Sequence, residues 1–379
     1  MFRSLHLLRQ LPLTARLLIA CRVARSVGQG ALVTDFALYL GALHWDAVQM
    51  GAVYMGGLTI GAMLTMAAGP LSDSVGRKPF LIGYEIAQLL AAGLALATAQ
   101  PTWLVLASMV GAYGRGANGA AGPFGPVEQA WLSDCIPEGD FGAVYSLNAA
   151  AGFGGMAVGS MLAALPALWS GVLPGPLRFR PLFLLVLLGS LLSLALLTRM
   201  RETRGAARHP AEQAPSRAAE PPRGRLMLAK LVGINTLNGL AIGVIGPFMA
   251  FWFHLRYGAG PAAIGPVLAL GFVLASFASV WAGWLSRRLG TTEAVVVMRL
   301  AGLVLLVALP FMPSFGLAAA CYVLRSAFNR GTAGARQAVG LLLVGRDRRG
   351  LAASLNAISM QIPRALGPVL GGWLLDTQL

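Results

Sequence analysis

The chain alternates long apolar stretches with short breaks that are polar or rich in glycine and proline. An apolar segment of about 20 residues is long enough to cross a bilayer as a helix. By that measure the pattern predicts eleven membrane-spanning helices joined by short loops. The predicted spans cover residues 15–42, 48–69, 79–99, 102–124, 142–169, 179–199, 228–254, 262–285, 292–312, 315–336 and 350–374.

One long hydrophilic segment, residues 201–226, separates the sixth span from the seventh. It is rich in Arg, Ala, Pro and Glu and has too few apolar residues to form a core. We interpret it as a linker between a first bundle of six helices (residues 1–200) and a second, incomplete bundle of five (residues 227–379). A twelfth helix is therefore missing from a symmetric pair, through truncation or because the native chain ends on the outer side.

Composition supports a membrane protein. Of the 379 residues, 56% are hydrophobic and 11% are charged, whereas soluble domains carry about 25% charged residues. If the N-terminus is cytoplasmic, eighteen Lys and Arg residues fall in cytoplasmic segments, against Arg178, Arg180 and Arg256 on the opposite side. The net charge of +15 then reflects topology and not nucleic-acid binding. This bias predicts a multi-pass protein of a bacterial-type inner membrane, with its N-terminus and linker in the cytoplasm.

Short motifs of the first bundle recur in the second, in the same order and at nearly the same spacing. They pair Gly69–Ser72 with Gly283–Ser286, Arg115–Gly116 with Arg330–Gly331, and Ser146–Ala149 with Ser354–Ala357. Three matches at equivalent span ends indicate a duplicated bundle with parallel halves.

The segment between the second and third spans reads Gly69-Pro70-Leu71-Ser72-Asp73-Ser74-Val75-Gly76-Arg77-Lys78-Pro79. It resembles the signature loop of the major facilitator superfamily, and the resemblance extends over nearly the whole chain. The resemblance implies an all-α membrane fold of two pseudo-symmetric six-helix bundles, and a transporter rather than an enzyme. Within this loop it identifies a gating motif composed of Gly69, Leu71, Asp73, Gly76, Arg77 and Lys78.

Two residues of this motif have a clear physical role. Gly76 permits a tight reversal between two helices. The resemblance further implies that Asp73 caps the eleventh helix near Arg349 and Gly350, where a carboxylate meets the positive end of the helix dipole and closes the cytoplasmic side. The simpler alternative is a turn with topogenic charges.

A second motif begins at Arg115, in the fourth span, and continues with small residues. An arginine in hydrocarbon should face a partner or a wet cavity. The family resemblance implies that Arg115 takes part in proton coupling or substrate binding; the alternative is a structural ion pair.

Glycines in the fifth and eleventh spans can be compared with the motif of the drug-antiporter branch of this family. Ser160 stands where drug antiporters of this family have a proline, after Gly152, Gly155 and Gly159. The antiporter signature is therefore incomplete. The equivalent Gly367-Pro368 occurs in the eleventh span, and we interpret these glycines as helix-packing positions.

Charged residues of the first bundle fall at one depth. At 1.5 Å per residue, Arg22, Arg25, Glu85 and Arg115 lie about 10 to 15 Å from the cytoplasmic edge. Spacings of three and four place Arg22, Arg25 and Gln29 on one helical face. We therefore predict one charged layer, in which Glu85 neutralises an arginine.

Asp35 lies higher in the first span, one turn from Tyr39. Apolar surroundings disfavour the charged form of an acid, which suits a proton carrier; the alternative is hydration near the outer surface. For Glu128, at the end of the fourth span, we expect a place at the membrane interface.

The second bundle carries Arg299, Arg325, Arg330 and Arg364 within its spans, with Glu293 near a helix end as the closest acid. This excess of positive charge favours an anionic substrate. Candidate cavity-lining residues are Gln29, Tyr39, Asn148, Asn235, Asn238, Arg330 and Asn356.

These patterns together predict a secondary transporter that works by alternating access. The sequence has neither a phosphate-binding loop nor a zinc-binding pair of histidines, so we expect no cofactor, no metal and a gradient as the energy source. General likeness to the drug/proton antiporter branch favours proton-coupled efflux of small organic molecules. The alternatives are proton-coupled uptake of an anionic metabolite and a non-transporting sensor or truncated remnant. We expect a monomer whose partners are substrate, protons and lipid.

Overall fold

The computed structural model describes residues 11–114, 124–136, 141–202, 222–332 and 349–377, and the regular structure in these ranges is helical throughout. Helices are favoured because backbone N–H and C=O groups in lipid must be satisfied within the segment itself. In the first half, seven described helices follow the six predicted spans in chain order. They are α1 (Leu13–Ala42), α2 (Ala47–Val75), α3 (Arg77–Ala97), α4 (Pro101–Gly111) followed by α5 (Phe124–Asp134), α6 (Phe141–Leu162) and α7 (Leu182–Arg199).

The second half contains five predicted spans, of which the first is bent. Its two segments are α8 (Pro222–Ile245) and α9 (Met249–Tyr257), inclined at 47° to each other. The remaining helices are α10 (Pro261–Leu289), α11 (Thr291–Ala308), α12 (Phe315–Gly331) and α13 (Arg349–Asp376).

Length and hydropathy support several membrane crossings. Within the described ranges, seven helices are long and apolar enough to span a membrane, and the bent pair α8 and α9 would make eight. The other predicted spans also coincide with helices. The fourth is divided into α4 and α5 on either side of residues 115–123, which lie outside the described ranges.

The second span extends further than hydropathy predicts. We predicted its end at residue 69, but α2 continues to Val75, so the motif residues up to that point are helical and not a loop. Gly76 alone reverses the chain, with φ 105° and ψ 149°. Gly290, between α10 and α11, has nearly the same conformation, with φ 99° and ψ 151°. The two halves therefore share this turn.

The two ends of the helix bundle have different cores. We call the end that carries Gly76, Gly290 and the start of the linker the linker end, and the opposite end the far end. At the far end one apolar cluster joins both halves, with Phe36 and Tyr54 from the first and Phe248 and Phe253 from the second. At the linker end the described residues form separate clusters, one around α1, α3 and α5 and the other between α10 and α11.

Glycines allow the closest helix contacts. A Cβ at Gly159 of α6 would collide with the Val27 carbonyl oxygen of α1. Between the halves, a Cβ at Gly372 of α13 would collide with the carbonyl oxygen of Ala47, at the start of α2. Small residues therefore let backbones approach here, as they commonly do between membrane helices.

Replacing Gly76 should separate its conformational role from simple packing. Gly76→Ala places a Cβ on a backbone of φ 105°, and we expect the free energy of unfolding to fall by about 1–3 kcal/mol. Gly83→Ala, in the middle of α3 where a Cβ meets nothing within 4 Å, is the matched control and should be neutral or slightly stabilising. Thermal unfolding of the purified variants in detergent measures both; equal midpoints would contradict this reading of the turn.

Candidate functional site

The charged layer of the first half contains an ion pair between α1 and α3. Arg25 Nε lies 2.9 Å from Glu85 Oε1, and the Glu85 side chain is fully buried. Ser193 of α7 donates a hydrogen bond of 2.9 Å to the same oxygen. The Arg25 guanidinium also lies 3.8 Å from the centre of the Phe124 ring, within the range of a cation–π contact. The structure thus pairs Glu85 with an arginine, and Ser193 connects α7 to this ion pair.

A second ion pair lies beside the first. Arg22 Nη1 is 3.3 Å from Glu128 Oε1 of α5, and Asn148 of α6 donates a hydrogen bond to the same oxygen. The expected place of Glu128 at the membrane interface is wrong, because its side chain is completely buried inside the bundle. Gly152 of α6 leaves room for Arg22, since a Cβ there would lie 2.6 Å from Arg22 Nε.

The break in the fourth span is stabilised by two glutamines. Gln29 of α1 donates to the Gly111 carbonyl oxygen (3.4 Å), and Gln88 of α3 donates to that of Val110 (2.9 Å). These carbonyls end α4, where Ala112 takes a left-handed conformation. Side chains from neighbouring helices therefore satisfy backbone groups that the break would leave unpaired. Arg115, the predicted coupling residue, lies outside the described residues.

Asp35 is a buried acid outside the two ion pairs of the charged layer. Its side chain is fully buried, and neither carboxylate oxygen has a hydrogen-bond partner among the residues that the structure describes. This burial favours a proton carrier over the hydrated alternative. Tyr39, one turn further along α1, packs against Phe179 and Phe183, so it lies in an aromatic core and not on a cavity wall.

A cavity of about 580 Å³ lies between the halves at the far end, close to Asp35. Leu38 and Ala42 of α1 line it, together with Arg178 and His254. Leu38 is three residues from Asp35 and therefore lies on the same face of α1. Asp35 is thus about one turn along α1 from a residue that lines this cavity, whose wall carries the positive charge of Arg178.

Arg77 and Lys78 of the gating motif hold neighbouring helix ends at the linker end. Arg77 donates to the Ala130 carbonyl oxygen (2.9 Å) and pairs with Asp134, both at the end of α5. Lys78 donates to the carbonyl oxygens of Thr198 and Met200 (3.0 and 2.7 Å), at the end of α7. Cations suit these positions because helix C-termini carry partial negative charge.

Glu202 completes the turn and was missed in the sequence. Its carboxylate accepts hydrogen bonds from the backbone N–H groups of Arg77 (2.7 Å) and Lys78 (3.3 Å), the first residues of α3. Leu71 is exposed on α2. The surroundings of Gly69 and the side chain of Asp73 lie outside the described part of the structure, so the contact of Asp73 with α13 stays a prediction.

The second half repeats one contact of the charged layer with different chemistry. Glu85 is the ninth residue of α3, and Arg299 is the ninth residue of α11. Arg299 Nη1 donates to Asn238 Oδ1 of α8 at 3.0 Å. The first and third spans of each half are therefore joined by a polar contact. In the first half an arginine meets a carboxylate, and in the second half an arginine meets an amide.

Arg330 lies near the junction of the halves. Its guanidinium is 4.4 Å from the ring centre of Phe272, and Phe272 stacks on Phe153 of the first half. Asn235 is half-buried on α8, Arg364 is buried on α13, and the side chain of Asn356 is outside the described residues. Arg330 is thus linked to the other half through one aromatic ring, Phe272.

Comparison with known families gives one match. A family model described as Major Facilitator Superfamily matches residues 18–368. No curated protein sequence matches this chain.

Three solved structures with similar folds are transporters. The nucleoside transporter NupG has a TM-score of 0.68 at 13% identity, over 96% of this chain and 90% of that one. A bacterial homologue of the human lysosomal transporter Spinster, inward-facing and occupied, gives 0.69 at 15%, over 96% and 81%. The D-xylose–proton symporter gives 0.69 at 13%, over 95% and 89%. At these identities the likeness establishes the fold alone.

The ion pair between Arg25 and Glu85 provides a test of the charged layer. Glu85→Leu leaves Arg25 without this carboxylate, and we expect a loss of about 3–5 kcal/mol of stability, whereas Arg25→Met with Glu85→Leu should lie much closer to the wild type. The measurement is thermal stability in detergent, with Glu293→Gln, an exposed acid at the start of α11, as control. Simple additivity of the two single variants would show that the pair is not energetically coupled.

Proposed function

Since this chain belongs to the Major Facilitator Superfamily, whose model matches residues 18–368, we propose that it is a secondary active transporter working by alternating access. In such transporters two helix bundles rock about a site near the membrane midplane. The single observation that supports this mechanism best is the uneven core. Among the described residues, one apolar cluster joins both halves at the far end and a smaller one joins α1 and α6 to α10, whereas the clusters at the linker end each belong to one half.

We assign the linker end to the cytoplasm, as the distribution of basic residues predicts. The shared far-end core then closes the outer side of a multi-pass inner-membrane protein, and this conformation is inward-facing. The similar Spinster homologue is also inward-facing. We treat residues 1–200 and 227–379 as the two moving bundles, and residues 201–226 as the cytoplasmic linker.

Asp35 is the proposed proton carrier. A carboxylate that is buried in a membrane bundle without a partner marks a functional site more often than a structural one. Among the residues that the structure describes, Asp35 has no hydrogen-bond partner, and the charge that acts on it is that of Arg178 on the wall of the cavity, which is its proposed route to the outer side. Glu85 and Glu128 are held by arginines, so their proposed role is to hold the charged layer together and, with Arg115, to respond to substrate.

For the substrate we propose small organic molecules that are exported in exchange for protons. A second candidate, uptake of an organic anion with protons, is supported by Arg330, since this guanidinium lies on the aromatic contact that joins the two halves. The direction of transport under an imposed gradient separates the two.

Transport in proteoliposomes tests the proposal. We expect a pH gradient to drive ethidium, an organic cation, against the proton flow, and Asp35→Asn to reduce this movement to the rate seen without a gradient, because an amide cannot carry the proton. Gradient-driven uptake of benzoate instead would support the anion candidate.

Glu293→Gln, which alters an exposed acid at a helix start, should transport like the wild type and is the matched control. An Asp35→Asn variant with unchanged gradient-driven transport would overturn the assignment of the proton site. A wild-type protein that opens and closes but moves neither compound under any gradient would favour the sensor alternative.

A further inference from the structure

An acid at the end of the last described helix binds the first half of the protein. Asp376 closes α13, and its two carboxylate oxygens accept hydrogen bonds from the backbone N–H groups of Ala47 and Val48, each at 3.0 Å. Ala47 and Val48 are the first residues of α2. The contact therefore crosses from the second half to the first, at the far end.

The chemistry of this contact is favourable at a helix start. The first N–H groups of a helix lack partners within the helix, and the N-terminus carries partial positive charge that attracts a carboxylate. Both hydrogen bonds involve an ionised acceptor, which makes them stronger than neutral ones.

The start of α2 already has its own cap. The Asp46 side chain accepts from the Gln49 N–H (2.6 Å), and the Gln49 side chain accepts from the Asp46 N–H (3.2 Å), which completes a capping box. Asp376 binds the N–H groups that this box leaves free. Its contribution is therefore a link between halves, beyond the local stability of α2.

Close backbone packing positions Asp376 over these N–H groups. Gly372, one turn before Asp376, lies against the Ala47 carbonyl oxygen, and Gly51 of α2 lies against that of Pro368. At both points the partner helix occupies the space that a Cβ would need. The register between α2 and α13 is thus fixed at the far end, and a sliding or tilting motion there would remove the carboxylate from its donors.

We propose that Asp376 is a latch residue that holds the far end closed and is released when that end opens. This role rests on the proposed alternating access. It also complements the predicted contact of Asp73 with the start of α13. Helices α2 and α13 are antiparallel, so each would offer an acid from its C-terminal end to the N-terminus of the other, at opposite ends of the bundle. In a rocking motion, one contact forms as the other breaks.

Distances across the far end test the latch without any substrate or gradient. Spin labels at Leu168 of the first half and Phe311 of the second, 80% and 79% exposed, report the separation by pulsed electron paramagnetic resonance. Asp376→Asn keeps the shape and removes the charge, and Asp376→Ala removes both acceptors. We expect both variants to shift the populations towards longer distances, with a roughly threefold to thirtyfold rise in the ratio of open to closed far ends.

Three matched variants complete the design. Thr377→Ala alters the next residue, whose hydroxyl bonds within α13 to Trp373 and Leu374, and should leave the distances unchanged. Asp46→Ala weakens the cap of α2 and should shift them less than Asp376→Asn. Asp376→Glu, which retains the charge, should restore part of the closed population.

Two outcomes would overturn the latch: wild-type distances in Asp376→Asn, or an equal shift in Thr377→Ala. If size-exclusion chromatography shows that Asp376→Ala does not fold, the distances in Asp376→Asn alone test the latch. A longer distance in a protein that transports neither ethidium nor benzoate supports the latch while contradicting the transport proposal, so the two can fail separately.

Discussion

A charge inside a membrane bundle must find its partner within the protein, because lipid cannot solvate it. Arg22 and Arg25 of α1 satisfy this constraint with Glu128 of α5 and Glu85 of α3. Asn148 and Ser193 attach α6 and α7 to the same carboxylates. Since α1 cannot shift along these helices without separating buried charges, the first half is suited to move as one rigid body.

Much of the fold could be predicted because the requirement for about 20 apolar residues gives each span a strong signal. The helix ends could not be predicted as well. Ser72, Asp73 and Ser74 look like a loop by hydropathy, yet α2 continues through them to Val75. The end of α4 at Gly111 was also missed, since the residues that follow it, Ala112, Tyr113 and Gly114, carry no charge that would mark a break. Its carbonyls are satisfied by Gln29 and Gln88, which are distant in sequence.

For the candidate site, depth along the helices was a useful guide where a span was continuous. It placed Glu85 level with Arg25, and the structure pairs them. The same count put Glu128 at the end of the fourth span, whereas the structure buries its side chain on α5 beside Arg22. Glu202 and Asp376 act on N–H groups far away in the chain. A carboxylate just beyond a span end was the only available signal, and it does not identify a partner.

The shared turn at Gly76 and Gly290 is followed by Glu85 in one half and by Arg299 in the other. A guanidinium keeps its charge at any physiological pH, whereas a carboxylate can be neutralised. Acids in the second half occur outside the spans or at helix ends, as Glu293, Asp347 and Asp376. At the matching position of the third span, the first half therefore has an acid paired with Arg25, and the second half has an arginine that contacts the neutral amide of Asn238. Two halves that share a turn thus differ inside the bundle, since the pair in the first is electrically balanced and the contact in the second carries a net positive charge.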